Sequence, residues 1–196
     1  MPQGRWYPAP DDSGAGWAHV SGWAQLHGTR RSLSCVIPAR DQLPALRELL
    51  PTLSDLLTEC GYPWELIVVD VASRDGTERV LSAWCELPGY RLVALDDDVG
   101  RAGAIVTGFE AARGDAVILL DAALEHPLSI VGDMVQQWEA GETVVVAAHD
   151  THSGDSVLHL PGQSRPGQST TTGLRLADGA SDLVLLDRRV VLDLLR

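Results

Sequence analysis

The 196-residue sequence contains no lysine and no asparagine, and all fifteen of its basic residues are arginine. Without lysine there is no P-loop lysine and no Schiff-base amine, and without asparagine there is no N-glycosylation acceptor. The same two absences fit a GC-rich genome, so an arginine at a position where lysine would serve carries little meaning. The three cysteines, Cys35, Cys60 and Cys85, are odd in number and show no CxxC spacing. That pattern suits reduced, partly buried thiols better than a disulfide framework, and argues against zinc. Positive charge is scarce. The formal net charge of -12 lacks the basic stripe that a nucleic-acid partner needs, and an anionic small ligand would need local help. No apolar run approaches the roughly 18 to 20 residues needed to cross a bilayer, and the N-terminus has no signal-peptide centre. The expectation is a soluble, cytoplasmic chain with no transmembrane segment.

What is present falls into two parts. Residues 1–31 are rich in Gly, Pro, Ser and Trp with no period of 2 or 3.6, and read as an irregular arm. Its Trp6, Tyr7, Trp17 and Trp23 belong either to a loosely packed tail or to a docking segment. From residue 32 to 196 strands and helices alternate. "SLSCVIP", "WELIVVD", "RLVAL", "AVILLD" and "TVVVAA" are short apolar runs of strand length. Between them lie helical patterns. The first has Asp41 as its expected cap, Pro44 in its first turn, Pro51 as an expected kink and Gly61 as its stop. A second carries a stripe of Val80, Leu81, Trp84 and Leu87. Strands apolar on both faces, spaced by crossover helices, predict a mostly parallel Rossmann-like α/β sheet with helices on both faces. Residues 149–180 break the rhythm and read as a long loop. "SDLVLLDRRVVLDLL" then returns to a short strand and a helix.

In open parallel sheets ligands sit beyond the carboxyl ends of the strands, where Asp70 and Asp121 stand. Each alone could be a local cap. With the long loop after the fifth strand, the two predict a nucleotide-type cleft.

Four stretches, "CVIPARDQLPAL", "ELIVVDVASRDGT", "VGRAGAIVTGFEAARGDAVILLDAALEHP" and "SDLVLLDRRVV", resemble in order and spacing the landmarks of family 2 glycosyltransferases of the polyprenyl-phosphate sugar transferase type. The likeness runs over about residues 33 to 149 and resumes near 180. It implies an A-type glycosyltransferase fold, a nucleotide-diphosphate sugar donor, a divalent metal (Mg²⁺ or Mn²⁺), inverting transfer, and polyprenyl phosphate, a membrane lipid, as an acceptor. By the same resemblance Pro38, Ala39, Asp70 and Arg101 lie at the donor nucleotide, Asp121 holds the metal, and Asp182 stands beside the acceptor phosphate with Arg188 and Arg189 following. His126 and Pro127 match the family's His-Pro.

The chain departs from the pattern at its acids. The family's Asp-x-Asp reads Asp121-Ala122-Ala123, and its Val-Asp-Asp-Gly-Ser reads Val69-Asp70-Val71-Ala72-Ser73. Base composition does not explain this, because aspartate is plentiful elsewhere. Arg40 or Arg101 could replace metal charge with guanidinium charge on a diphosphate. Asp96, Asp97 and Asp98 read as a solvated turn. His149, His152, His159 and Asp155 read as scattered loop residues. The alternative function is a catalytically inactive binding or scaffolding module that keeps the fold. A sugar nucleotidyltransferase fits poorly, since no glycine-rich loop follows the first strand.

Overall fold

A computed structural model of the chain describes residues 4–7, 31–123, 127–149, 156–159 and 183–196. The expected strands form and join one sheet. In chain order they are β1 (Gly4–Tyr7), β2 (Leu33–Ala39), β3 (Trp64–Val71), β4 (Tyr90–Leu95), β5 (Ala116–Leu120), β6 (Val144–His149), β7 (Ser156–His159) and β8 (Leu183–Asp187). The helices are α1 (Leu43–Glu59), α2 (Thr77–Trp84), α3 (Gly100–Ala111), α4 (Ile130–Glu139) and α5 (Arg188–Leu194).

The sheet order is β1-β4-β3-β2-β5-β8-β6-β7. β4, β3, β2 and β5 pair in parallel, as continuous apolar runs buried on two sides should. β8 enters antiparallel between β5 and β6, so β6 runs in the sense of β5 without touching it. The sheet is therefore mixed, with its predicted parallel centre flanked by antiparallel pairs. Two edge strands fall where the sequence reads as irregular. Gly4–Tyr7 pairs antiparallel with β4, and Ser156–His159 pairs antiparallel with β6. Both are only four residues long, too short for a periodic signal. Trp6 and Tyr7 pack against the two sides of the core rather than standing free; Trp17 and Trp23 lie outside the described residues.

The alternation of side chains across the strands separates two cores. One face carries Cys35, Ile37, Val68, Leu92 and Ile118 against α1, α2 and α4. The other carries Val36, Ile67, Val69, Val93 and Leu119 against α3 and α5. α1 buries Leu46, Leu49, Leu50, Leu53 and Leu57, and its helical span continues through Pro51. Leu87 falls past the end of α2 and is 52% exposed, so it leaves the expected stripe. α3 lies close on the sheet because Gly108 has no side chain; a Cβ there would come within 2.2 Å of Val36 Cγ1.

At the end of the sheet where β2 and β3 begin, a buried polar group spans three strands. Glu65 accepts hydrogen bonds from Ser34 Oγ (2.6 Å) and the Arg113 amide (2.8 Å), and pairs with Arg91. Arg91 also donates to the Ala111 carbonyl (2.9 Å), and Ser34 Oγ accepts from the Gly114 amide (2.7 Å). Gly114 is required there, since a Cβ would sit 2.5 Å from the Ser34 amide nitrogen. This network ties α3 and its following turn to β2, β3 and β4.

Candidate functional site

At the opposite end, beyond the carboxyl ends of β2, β3 and β5, a cleft of about 290 Å³ opens between Pro38, Ala39, Arg40, Gln42, Val71, Asp98, Gly100, Arg101 and Asp121. Its walls are loops held in unusual backbone. Asp41 and Ala72 adopt φ of 50° despite having side chains, a conformation that persists only when its surroundings enforce it. They do. The Asp41 amide donates to Ser73 Oγ (2.8 Å), and Asp41 Oδ1 accepts from the Arg74 amide (2.6 Å). Asp75 binds the Leu43 amide (2.8 Å) through Oδ2 and the Thr77 amide (3.0 Å) through Oδ1. One carboxylate thus serves the N-termini of α1 and α2, and the capping role expected of Asp41 falls to Asp75 instead. Asp41 is spent on joining the two loops.

The structure brings four of the predicted site residues to this cleft: Pro38, Ala39, Arg101 and Asp121. Asp70 is not among its walls. It lies on β3 with its side chain on the same face as Val68, the α1 side, whereas Val71 and Asp121 point to the α3 side. Asp70 is 2% exposed and its Oδ1 accepts from the Ser73 amide at 3.3 Å. The expected convergence of Asp70 and Asp121 therefore does not occur at one surface: β2 stands between their strands, which puts about 10 Å between the backbones at ordinary strand spacing. The β3 position that lines the cleft is 71, where this chain has valine. Asp182 and His126 lie outside the described residues, as do His152 and Asp155. His149 and His159 lie on paired strands but at opposite ends of the β6–β7 ladder. Arg189 is bound to Asp187, the residue that caps α5.

Asp98 is the residue that motif reading passed over. It looks like part of a solvated run, yet it lines the cleft, accepts from the Gly100 amide (3.0 Å) and pairs with Arg40. Those two contacts hold its carboxyl below the ordinary aspartate range. Asp96 turns away to Arg5 on β1 (2.7 Å).

Arg101, in the first turn of α3, donates Nη1 to Asp121 Oδ2, while Asp121 Oδ1 accepts from the Ala123 amide at 2.9 Å. The side chains of this pair are 27% and 20% exposed. Arg101 Nε and Nη2 are buried with no hydrogen-bond partner among the described residues. Unmet buried donors of this kind cost roughly 1–3 kcal/mol each, a penalty that a bound anion would relieve.

Burial raises the Asp70 carboxyl above its ordinary 3.8, an effect its Ser73 hydrogen bonds partly offset. A carboxyl raised by folding contributes stability that is complete below its unfolded pKa and lost as pH rises through its folded one. Asp70→Asn is therefore expected to be as stable as or more stable than the parent at pH 7, with that advantage disappearing below pH 4. Urea unfolding at the two pH values checks it; a variant destabilised at pH 7 alone would contradict the assignment.

The profile of glycosyl transferase family 2 matches residues 34–187. The chain belongs to that family. Undecaprenyl-phosphate 4-deoxy-4-formamido-L-arabinose transferase of Pseudomonas fluorescens strain SBW25 is 33% identical over 131 residues, covering 66% of this chain and 38% of that protein. The transferase of the same name from P. fluorescens strain Pf-5 is 30% identical over 164 residues, covering 82% of this chain and 48% of its own. The chain thus spans less than half the length of these two relatives. Among solved structures it resembles mannosyltransferase PcManGT from Pyrobaculum calidifontis in complex with GDP-Man and Mn²⁺, with a TM-score of 0.59, 22% identity, and 85% of this chain and 47% of that one covered. Glucosyl-3-phosphoglycerate synthase from Mycobacterium tuberculosis in complex with UDP gives a TM-score of 0.56 at 18% identity, covering 89% of this chain and 61% of that one. These likenesses establish the family's A-type glycosyltransferase fold. No helix among the described residues is long and apolar enough to cross a membrane.

Proposed function

We propose that this family 2 chain binds a nucleotide-diphosphate sugar in the cleft at the ends of β2 and β5 and transfers the sugar to an acceptor, with polyprenyl phosphate as the acceptor class. The observation that carries the reading is the position of Arg101 and Asp121 together on that cleft, inside a chain whose family match spans residues 34–187. In such a transfer the bond from the anomeric carbon to the diphosphate oxygen breaks and negative charge collects on the departing nucleoside diphosphate. An acceptor oxygen forms the new bond from the opposite side of the ring. The chain's part is to hold the diphosphate beside fixed positive charge, which lowers the barrier by meeting the charge as it develops. Arg101 is suited to that at the positive end of α3, where the helix dipole adds to the guanidinium. Asp182 is assigned to the acceptor side; its neighbour Leu183 pairs with Leu120, next to Asp121.

A divalent metal would supply charge to the same diphosphate. The donors here fit it poorly. Asp121 has one oxygen on Arg101 and the other on the Ala123 amide, Asp98 is matched to Arg40, and no group of three or more metal-ligating side chains gathers among the described residues. No step is assigned to a metal.

The direct test is nucleoside diphosphate release from UDP-, GDP- and dTDP-sugars in the presence of a short polyprenyl phosphate. Release that depends on the acceptor supports transfer. Binding of a donor with no release would leave a binding module, and failure of every nucleotide to bind would overturn the reading.

A further inference from the structure

We infer that this chain grips the diphosphate of its donor through arginine alone, the Arg101 guanidinium taking the place that a divalent cation would occupy. The inference rests on the donor-binding reading above and specifies what holds the ligand. Three observations carry it.

The first is which edge of Arg101 is unused. Its Nη1 is committed to Asp121, and the orphaned pair is Nε and Nη2. Those two N–H groups form the side-on fork of a guanidinium, the edge that grips two oxygens of one oxyanion. The same protein shows the fork at work: Arg5 sets Nε on Glu78 Oε1 at 2.6 Å and Nη2 on Oε2 at 2.9 Å. Arg101 has the identical fork with no oxyanion on it among the described residues. The side chain is 27% exposed and borders the cleft, so an oxyanion entering there would supply the two unmet donors with partners.

The second is charge. The charged groups lining the cleft are Arg40, Arg101, Asp98 and Asp121, two of each sign, and each aspartate is paired with an arginine. Among the described residues a cation arriving there meets no unspent carboxylate, while an incoming diphosphate meets two guanidinium groups. Arg40, paired with Asp98 and 52% exposed, stands on the same cleft. The third is the sequence itself: position 123 is alanine and position 71 is valine, so the acids that a metal or a base would use are missing on the cleft face. Asp121 then acts as a positioning residue that holds Arg101, rather than as a metal ligand.

Calorimetry of the full chain with inorganic pyrophosphate, UDP and GDP, each in EDTA and again in Mn²⁺, tests this. Affinities that agree within about threefold in the two buffers are expected. Arg101→Ala should weaken binding at least tenfold in both, as loss of a charge-assisted bidentate contact does, and Arg101→Lys, which keeps the charge without the fork, should recover only part. Asp121→Asn should weaken binding equally with and without Mn²⁺. Binding only in Mn²⁺ that Asp121→Asn abolishes would overturn the inference and leave the glycosyltransferase reading intact. Nucleotides and pyrophosphate all failing to bind in either buffer would overturn both. Thermal melts of each variant show whether a loss reflects the site or the fold, and the lysine variant keeps the test decisive if the alanine variant unfolds.

Discussion

Replacing Glu65 by alanine is expected to cost about 3–5 kcal/mol, the usual penalty for removing one partner of a buried ion pair. Arg91, whose side chain is 9% exposed, would lose its carboxylate partner while keeping its bond to the Ala111 carbonyl, and Ser34 Oγ and the Arg113 amide would lose an acceptor. For a domain of this size that corresponds to a fall in Tm of about 10 °C. Glu65→Gln should lose less, because an amide oxygen can still accept from Ser34 and Arg113. The double variant Glu65→Ala with Arg91→Met should recover part of the loss, since the stranded charge goes with it. Urea unfolding of the four proteins measures this. A cost below about 1 kcal/mol for Glu65→Ala would mean that water compensates the group, and the network would not be what anchors α3 to the sheet.

The second large effect is expected from Ala123→Asp. Ala123 is exposed and its amide already turns toward Asp121, so a carboxylate there would stand beside the one the chain retains. Two carboxylates plus a diphosphate are a sufficient set for Mg²⁺ or Mn²⁺. The variant should bind UDP or GDP at least tenfold more tightly in Mn²⁺ than in EDTA, a difference of about 1.4 kcal/mol or more, where the parent is expected to show little difference. Adding Val71→Asp, which places an acid on the cleft wall, should alter the preference between UDP and GDP. Titrations in the two buffers read both. An Ala123→Asp protein indifferent to Mn²⁺ would show that Arg101 keeps hold of Asp121 and that the metal site cannot be rebuilt by one residue.

Much of the fold was legible because its centre is made of runs such as "WELIVVD" and "AVILLD", buried on both faces and separated by helices that a 3.6 period reveals. The antiparallel flanks were not. Gly4–Tyr7 and Ser156–His159 are four-residue edge strands, and their pairing is fixed by partners 70 or more residues away for β1 and by a hairpin for β7. The candidate site divides in the same manner. Arg101 and Asp121 were singled out by the family resemblance and do meet. Asp70 was read at the right strand end but on the wrong side: strand alternation gives neighbouring residues opposite faces, and only coordinates show which of 70 and 71 looks into the cleft. Asp98 was hidden by its neighbours Asp96 and Asp97, since three acids in a row look alike in sequence and differ only in which arginine each one finds.

The insertion of β8 between β5 and β6 bears on how the molecule is built during synthesis. Residues 144–149 and their hairpin partner have no seat on the sheet until Leu183–Asp187 arrive to bridge them to β5. Until that bridge has left the ribosome, the nascent chain holds a five-strand half and a detached ribbon, so closure of this sheet waits on a strand made after all its others.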